Sequence, residues 1–262
     1  MTAIAPPADC HQPQPGPAWA WWRRLAWVPW RQHRSALAWV LLGFALAAAA
    51  MALIPVNAGG NWFPGGFPDQ TLTRVVLMLQ LLPVLTALFL GVPLVAREAE
   101  SGTLALAWTQ GTGRARWLLV QAVPLAVLPA LAAAGLGAEL SWWLGPAGWR
   151  ARAWDPAQLS LNPLPFAGWV VLAFSIGLAL GAVIRRTVPA IAATIACYGV
   201  MLLVVEGWKS KLLVNLHLYE VAAPHGVTAR YLAFQSVEFG GLIAVSVLLT
   251  AVTVIVIRRR DA

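Results

Sequence analysis

Hydrophobic positions in this chain fall into six long runs, separated by shorter segments that are polar or rich in glycine and proline. None of the six contains Lys or Arg, and each has about the 20 mostly apolar residues that a helix needs to cross a bilayer. The pattern therefore predicts an all-α integral membrane protein with six transmembrane helices. The predicted spans are residues 36–55, 75–96, 117–140, 164–184, 187–205 and 237–257.

The distribution of Arg and Lys predicts the orientation of these spans, because short cytosolic loops retain an excess of both residues. With the N-terminus inside, twelve basic residues fall on the cytosolic side and six on the other. An odd number of spans would place Arg258, Arg259 and Arg260 outside. We therefore expect six spans with both termini in the cytosol.

The segment before the first span has two parts. Residues 1–16 are Pro-rich and polar and lack the apolar core of a signal peptide, so we expect a cytosolic tail, with insertion directed by the spans of a single transmembrane domain, residues 17–262. Residues 18–30 combine five Trp with Arg, which favours an amphipathic helix in the cytosolic interface that Pro29 ends or bends. An unstructured Trp-rich tail is the alternative.

Composition excludes several classes of protein. Hydrophobic residues make up 60% of the chain and charged residues 11%, against about 25% charged in soluble domains. The net charge of +8 is dispersed in small clusters, which argues against a nucleic-acid partner and leaves membrane lipid as the solvent. Two cysteines and four scattered histidines predict neither a disulfide framework nor a metal site.

Acidic residues in or near the spans are few. Glu139, Glu206 and Glu238 could form a cluster that binds a proton or a cation, although solvated carboxylates at the interface are the simpler interpretation. The longest predicted outside loop, residues 206–236, mixes leucines with charged residues. Short re-entrant or surface helices would suit this pattern, and a solvated loop is the alternative.

The cytosolic connection 97–116 is the most informative segment. Thr103 can cap a short helix that begins at Leu104 and ends near Gln110, with Leu104 and Trp108 on one face. Apolar side chains between charged ends favour a docking partner over solvent. The residues we assign to this candidate coupling segment are Arg97, Glu98, Glu100, Gly102, Thr103, Leu104, Trp108, Gln110, Arg114 and Arg116.

The same segment resembles permease subunits of bacterial type II ATP-binding-cassette (ABC-2) exporters. The resemblance spans residues 27–260 in order, and its strength lies in that order rather than in any single motif. The matching pieces are Arg97-Glu98-x-Glu100-Ser101-Gly102-Thr103, Trp108-Thr109-Gln110, Arg114-x-Arg116-Trp117, Trp30-Arg31-Gln32-His33-Arg34, Trp154-Asp155-Pro156, Arg185-Arg186-Thr187-Val188-Pro189-Ala190 and Phe234-Gln235-x-x-Glu238.

The resemblance implies a subunit of the bacterial cytoplasmic membrane that pairs with a second copy or a paralogue and rests on cytosolic ATPases through residues 97–116. The chain has no Gly-x-x-x-x-Gly-Lys-Ser/Thr loop, so we expect it to bind no cofactor, with ATP and Mg²⁺ on the partner ATPase. The expected cargo is an amphipathic, lipid-like, peptide or drug-like molecule. A non-transporting sensor or assembly subunit, and a lipid-modifying enzyme, remain alternatives.

Polar residues inside the spans usually face the bundle interior. Gln80, Thr86, Thr194 and Tyr198 are the candidates for a translocation path, and ordinary interhelical hydrogen bonding is the alternative. Four prolines, at positions 83, 93, 124 and 129, predict kinks in the second and third spans. The pair Gly177 and Gly181 predicts a close helix approach.

Overall fold

Helices account for the regular structure in the computed structural model, which describes residues 18–53, 69–102, 114–152, 156–215 and 227–260. In chain order they are Ala18–Leu53, Asp69–Thr86, a π-helical turn Ala87–Gly91, Val92–Glu100, Arg114–Arg152, Pro156–Ser160, Pro163–Ile184, Thr187–Asn215 and Val227–Arg260.

The predicted number of spans is confirmed. Within the described residues, six helical segments are long and apolar enough to cross a membrane, the second of which includes the π-helical turn. From here on, these segments are the first to sixth spans. They are His33–Leu53, Arg74–Glu100, Ala115–Trp143, Pro163–Ile184, Thr187–Leu212 and Tyr231–Arg259.

The fourth span is the centre of the bundle. It packs against the second, third, fifth and sixth spans, and its core residues Phe166, Val170 and Phe174 are buried. In its most apolar window 67% of the residues are buried, compared with 17% in the fifth span. The fourth span is therefore a scaffold, whereas the fifth offers most of its surface to lipid or to another chain.

Three glycines bring the second and fourth spans into backbone contact. A Cβ atom on Gly91 would lie 2.6 Å from the carbonyl oxygen of Phe174, one on Gly177 would lie 2.9 Å from that of Ala87, and one on Gly181 would lie 2.7 Å from that of Val92. Small residues allow this approach, which maximises van der Waals contact where no hydrophobic effect operates between helices. The predicted role of Gly177 and Gly181 is confirmed, and Gly91 completes the crossing.

The second span changes its helical register at this crossing. Residues 87–91 form a π-helical turn, in which the Val92 N–H donates to the Ala87 carbonyl. Pro83 and Pro93 flank the turn, and neither has an N–H to donate. Local π geometry is a known way for membrane helices to accommodate missing donors. The prolines of the second span are thus associated with a widened turn against the fourth span. The helix of the third span, in contrast, continues without interruption from Arg114 to Arg152.

The structure differs from two predicted boundaries. Residues 206–215 continue the fifth-span helix and residues 227–236 begin the sixth-span helix, so both ends of the expected loop 206–236 are extensions of spans. The first helix runs from Ala18 to Leu53, so Pro29 does not end it, which leaves a bend as the prediction for this proline. In both cases the helix continues past the apolar run. Residues 1–17, 103–113 and 216–226 lie outside the described residues.

The two ends of the bundle differ in charge. At one end, which we call the basic end, arginines lie at or just beyond the ends of the spans, most of them exposed. They are Arg31, Arg34, Arg97, Arg116, Arg185, Arg186, Arg258 and Arg259. The opposite end carries charges of both signs, and its described residues include Arg74, Glu139, Glu206, Lys209, Lys211 and Glu238.

Replacing Gly181 by Ala should lower the stability of the bundle by about 1–3 kcal/mol, because the added methyl group meets backbone atoms that cannot move independently. Thermal unfolding of the purified chain in detergent would measure the effect. Gly135→Ala is the matched control, since nothing lies within 4 Å of its Cβ position. Equal unfolding temperatures for the two variants would contradict a tight crossing.

Candidate coupling site and a buried polar cluster

The second span ends at the basic end with a left-handed glycine. Gly102 has φ +68°, and the Ser101 N–H donates to the Arg97 carbonyl at 3.0 Å. Glycine adopts this conformation without a Cβ penalty and commonly terminates helices. The chain therefore leaves the second span at Gly102, where the candidate coupling segment continues into residues 103–113, outside the described residues.

Glu100 connects the end of the second span to the start of the fifth. Its Oε1 accepts a hydrogen bond from the Thr187 N–H at 2.8 Å, and its Oε2 accepts one from Thr187 Oγ1 at 2.7 Å. The first N–H groups of a helix have no partner within that helix, and a carboxylate there also interacts favourably with the helix dipole. A side chain 87 positions earlier in the chain thus caps the fifth span, and we call this contact the Glu100–Thr187 clasp.

Apolar packing supports the clasp from inside the bundle. Val92, Ala96 and Ala190 are each 0% exposed and form one cluster, with Ile184 and Ile191 packed against it. The cluster joins the ends of the second and fourth spans to the beginning of the fifth. Movement of the second span's end would therefore displace the beginning of the fifth span.

The connection between the fourth and fifth spans is only two residues long. Arg185 closes the fourth span in the left-handed region, with φ +58°, and its N–H donates to the Gly181 carbonyl at 3.0 Å. A non-glycine residue in this region is strained and uncommon. The short connection allows little independent movement of the two helix ends.

Polar side chains of three spans are neighbours at the basic end. His33 of the first span lies near Gln121 of the third span and near Arg97 of the second span. Gln121 is 3% exposed. Both ends of the candidate coupling segment are thus close to polar side chains of the spans.

The structure describes part of the predicted coupling segment. Arg97 and Arg116 are exposed, Glu98 is partly buried, and Glu100 and Gly102 make the contacts given above. Arg114 begins the third-span helix. Four of the predicted residues lie outside the described residues: Thr103, Leu104, Trp108 and Gln110.

At the opposite end, a buried lysine holds four elements together. Lys209, 1% exposed, pairs through Nζ with Glu206 Oε1 at 2.8 Å and Glu238 Oε1 at 3.0 Å, and also donates to Ser160 Oγ. Ser160 donates to Glu206 Oε1 at 2.5 Å, and Trp169 Nε1 donates to Glu238 Oε1 at 3.3 Å. These contacts connect helix Pro156–Ser160 with the fourth, fifth and sixth spans. We call these five residues the Lys209 cluster.

A small cavity of about 10 Å³ lies beside the Lys209 cluster, between the second, fourth and fifth spans. Gln80 and Tyr198, both assigned to the candidate path, line this cavity together with Ser160 and Trp169. The Tyr198 and Trp169 rings meet edge to face, with their centroids 5.8 Å apart. The structure therefore brings Gln80 and Tyr198 to the same place, although they are 118 positions apart.

The other two candidates for the path are fully buried and bonded to their own helices. Thr86 Oγ1 donates to the Leu82 carbonyl at 3.0 Å, and Thr194 Oγ1 donates to the Ala190 carbonyl at 2.7 Å. Their hydroxyl donors are therefore already used. In this conformation Thr86 and Thr194 satisfy local backbone acceptors.

Sequence reasoning missed the central member of the Lys209 cluster. Lys209 was assigned to an outside loop, whereas it lies on the fifth-span helix and is buried. The signal was present in the spacing of Glu206 and Lys209, since residues three apart share a helix face. Of the three glutamates considered as an acidic cluster, Glu206 and Glu238 take part in the hydrogen bonds and ion pairs of the Lys209 cluster, and Glu139 does not. Among the described residues, no group of three His, Cys, Asp or Glu residues is arranged to hold a metal ion.

Comparison with known families gives one match. Residues 61–209 match the family model described as ABC-2 membrane transporter related, which covers more than half of the chain. The chain belongs to the ABC-2 membrane transporter related family. The resemblance identified from sequence motifs is thereby confirmed. No curated protein and no solved structure matches the chain.

Membership in the ABC-2 family, together with six apolar helices, makes the chain a multi-pass transmembrane permease subunit. Permeases of this family work with an ATP-binding-cassette ATPase, so the transport subunit itself is not expected to be an enzyme. The match begins before the second span and ends at Lys209, and so includes both residues of the Glu100–Thr187 clasp.

Replacing Lys209 by Met should destabilise this ABC-2 permease by about 3–5 kcal/mol, because the buried carboxylate of Glu238 and the partly buried carboxylate of Glu206 lose their shared cation. Thermal or denaturant unfolding would measure the loss. Lys211→Met is the control, since Lys211 is exposed on the same helix. Adding Glu206→Gln and Glu238→Gln to the Lys209→Met variant should restore part of the stability. Equal stability of the two single lysine variants would contradict the assigned role.

Proposed function

We propose that this chain is the permease subunit of an ABC-2 exporter whose basic end faces the cytosol, where a separate ATPase docks on residues 97–116. The Glu100–Thr187 clasp is the observation that carries the proposal, because it connects the coupling segment directly to a span. The excess of arginine at the same end supports the orientation. ATP and Mg²⁺ bind to the ATPase, and this chain converts its movement into a change of helix arrangement.

The fifth span is the element that responds in this mechanism. Its beginning is fixed to the second span by the clasp, and its far end is fixed to helix Pro156–Ser160 and to the sixth span by Lys209. Only 17% of its most apolar window is buried, so it has few apolar contacts to break when it tilts. Displacement of the coupling segment by the ATPase therefore changes the tilt of the fifth span within the limit set by its two-residue connection to the fourth span, a switch between two packed states.

The cavity beside Tyr198 is the proposed start of the substrate path. It lies between the second, fourth and fifth spans, and at about 10 Å³ it has room for about one water molecule. A tilt of the fifth span would change its shape, because Tyr198 and Leu202 line it from that span. The proposed cargo, which rests on the family resemblance, is an amphipathic, lipid-like, peptide or drug-like molecule.

A second permease copy or a paralogue completes the transporter in this proposal. The fifth span carries exposed apolar side chains along its length, including Val200, Leu203 and Val204. The first span does so as well, with Trp39 and Leu46 exposed. A pair of permeases would enclose a path between their fifth spans, and membrane lipid would cover the remaining apolar surface.

Replacing Thr187 by Val should disconnect ATP hydrolysis from the fifth span, because Val cannot donate to Glu100 Oε2. Cys197 is exposed on this span and serves as a reporter once Cys10 is replaced by Ser. In the permease–ATPase complex, with a spin label attached to Cys197 in detergent before assembly into nanodiscs, the mobility of the label should differ between the nucleotide-free and the ATP–vanadate states. We expect Thr187→Val to reduce that difference by about half or more while hydrolysis continues.

Thr187→Ser is the matched control for this experiment, since it keeps the hydroxyl group. It should retain the parent's nucleotide-dependent difference in the mobility of the label. A Thr187→Val complex in which Cys197 responds to nucleotide as in the parent would rule out the clasp as the coupling contact.

Replacing Trp108 by Ala should weaken ATPase docking, because it removes a large aromatic contact from the coupling segment but no residue of a span. We expect about tenfold less ATPase to copurify with the permease, with no change in the permease's own unfolding temperature. Trp142→Ala is the control, since Trp142 is 72% exposed at the other end of the third span. Undiminished copurification with Trp108→Ala would place the docking surface elsewhere.

A further inference from the structure

An apolar groove lies between the third and sixth spans, away from the clasp and the Lys209 cluster. Its volume is about 640 Å³, within the range of roughly 300–1,000 Å³ that is typical of small-molecule sites. The fourth span forms the floor, where Phe174 is 2% exposed. Val123 and Val127 line one wall and Val247 lines the other.

The hydroxyl groups in the groove do not offer free donors to an occupant. Ser175 donates to the Val171 carbonyl at 2.8 Å, Ser246 to the Leu242 carbonyl at 2.7 Å, and Thr250 to the Ser246 carbonyl at 2.8 Å. Each bond stays within one helix. The groove therefore presents hydrocarbon to whatever fills it, and a polar molecule would lose hydrogen bonds to water without replacing them.

The groove reaches almost to the basic end of the bundle. Leu119 on the third span and Ile255 on the sixth are its outermost lining residues at that end. Arg116 and Arg258 are each three positions further along, about 4.5 Å by helix rise, and Arg259 follows. All three arginines are exposed. A long apolar surface with three exposed arginines just beyond its end matches an amphiphile that has an anionic headgroup.

We propose that this groove binds one acyl chain of an anionic phospholipid from the membrane leaflet at the basic end, with the lipid phosphate held near Arg116, Arg258 and Arg259. The site does not depend on the proposed export function. A second copy of the chain fits this face poorly, because a two-fold axis along the membrane normal would bring the arginines of both copies together. The arginines instead complement the phosphate groups of lipid.

Lipid binding to the full-length chain tests this proposal directly. The delipidated protein in detergent is titrated with dioleoyl phosphatidylglycerol or dioleoyl phosphatidylcholine, and bound lipids are counted by native mass spectrometry. These two lipids have the same acyl chains and differ in headgroup charge. We expect one preferred phosphatidylglycerol per chain.

Ala126→Phe fills the groove and should weaken phosphatidylglycerol binding by about tenfold or more. Ala138→Phe is the control, an exposed position on the same span, outside the groove and about 18 Å further along the helix. Val247→Trp from the opposite wall, compared with Val237→Trp, replaces this pair if Ala126→Phe does not elute as folded protein. Binding that is equal in the groove-filling and control variants would overturn the proposal.

Replacing Arg258 and Arg259 by Gln should reduce the preference for phosphatidylglycerol over phosphatidylcholine by about thirtyfold. Each arginine contributes roughly 1 kcal/mol to the binding of an anionic lipid, and the two contributions add. The charge-matched control replaces Arg31 and Arg34, which lie on the first helix. Equal binding of both lipids by the parent protein would overturn the proposal that the site selects an anionic headgroup. A change in oligomeric state with Ala126→Phe, at unchanged lipid count, would identify the groove as a protein interface and overturn the lipid site.

Discussion

The close crossing of the second and fourth spans is the constraint on which the rest of the bundle depends. At Gly91, Gly177 and Gly181 the two backbones approach so closely that a methyl group has no room. Lipid is as apolar as the side chains it would replace, so helices in a membrane gain little from hiding apolar surface from each other. Contact area and packing decide the arrangement instead. The π-helical turn of the second span lies at this crossing, which fixes the direction in which the span continues toward Glu100.

Polar side chains act at the two ends of the bundle and stabilise it in different ways. The Glu100–Thr187 clasp is exposed, so water can compete for its groups and the contact can be made and broken at modest cost. The Lys209 cluster is buried, where an unpaired charge is very unfavourable. The exposed contact suits a joint that moves, and the buried cluster suits a fixed point. This difference is the physical basis for the tilting of the fifth span in the proposed mechanism.

Apolar surface is distributed unequally around this scaffold. The fourth span is covered by its neighbours, whereas the first, fifth and sixth spans keep most of their apolar windows exposed. Exposed apolar surface is normal for a protein in lipid, so exposure alone does not identify a binding surface. The shape of the exposed surface separates the fifth span from the groove. The fifth span offers a helix face that a second permease would cover, and the groove between the third and sixth spans offers a concave surface that suits an acyl chain.

The sequence by itself determined the class of protein, the number of spans and the family. The first two follow from continuous apolar runs, and the family follows from the order of short motifs along the chain. Apolar runs without Lys or Arg require a membrane, and the ordered motifs were sufficient to recognise an ABC-2 permease. The pair Gly177 and Gly181 indicated close packing through its four-residue spacing. Element ends were less predictable, since residues 206–215 remain helical although they are polar in part.

Only the tertiary structure decided which distant residues meet. Glu100 and Thr187 were both noted in the sequence, but their contact depends on how the second span leaves the glycine crossing. Lys209 looked like a loop residue because its partners, Ser160 and Glu238, are 49 and 29 positions away in the chain. Hydropathy records the cost of placing a charge in a membrane, but not the partners that offset that cost, and these are brought together only by helix packing.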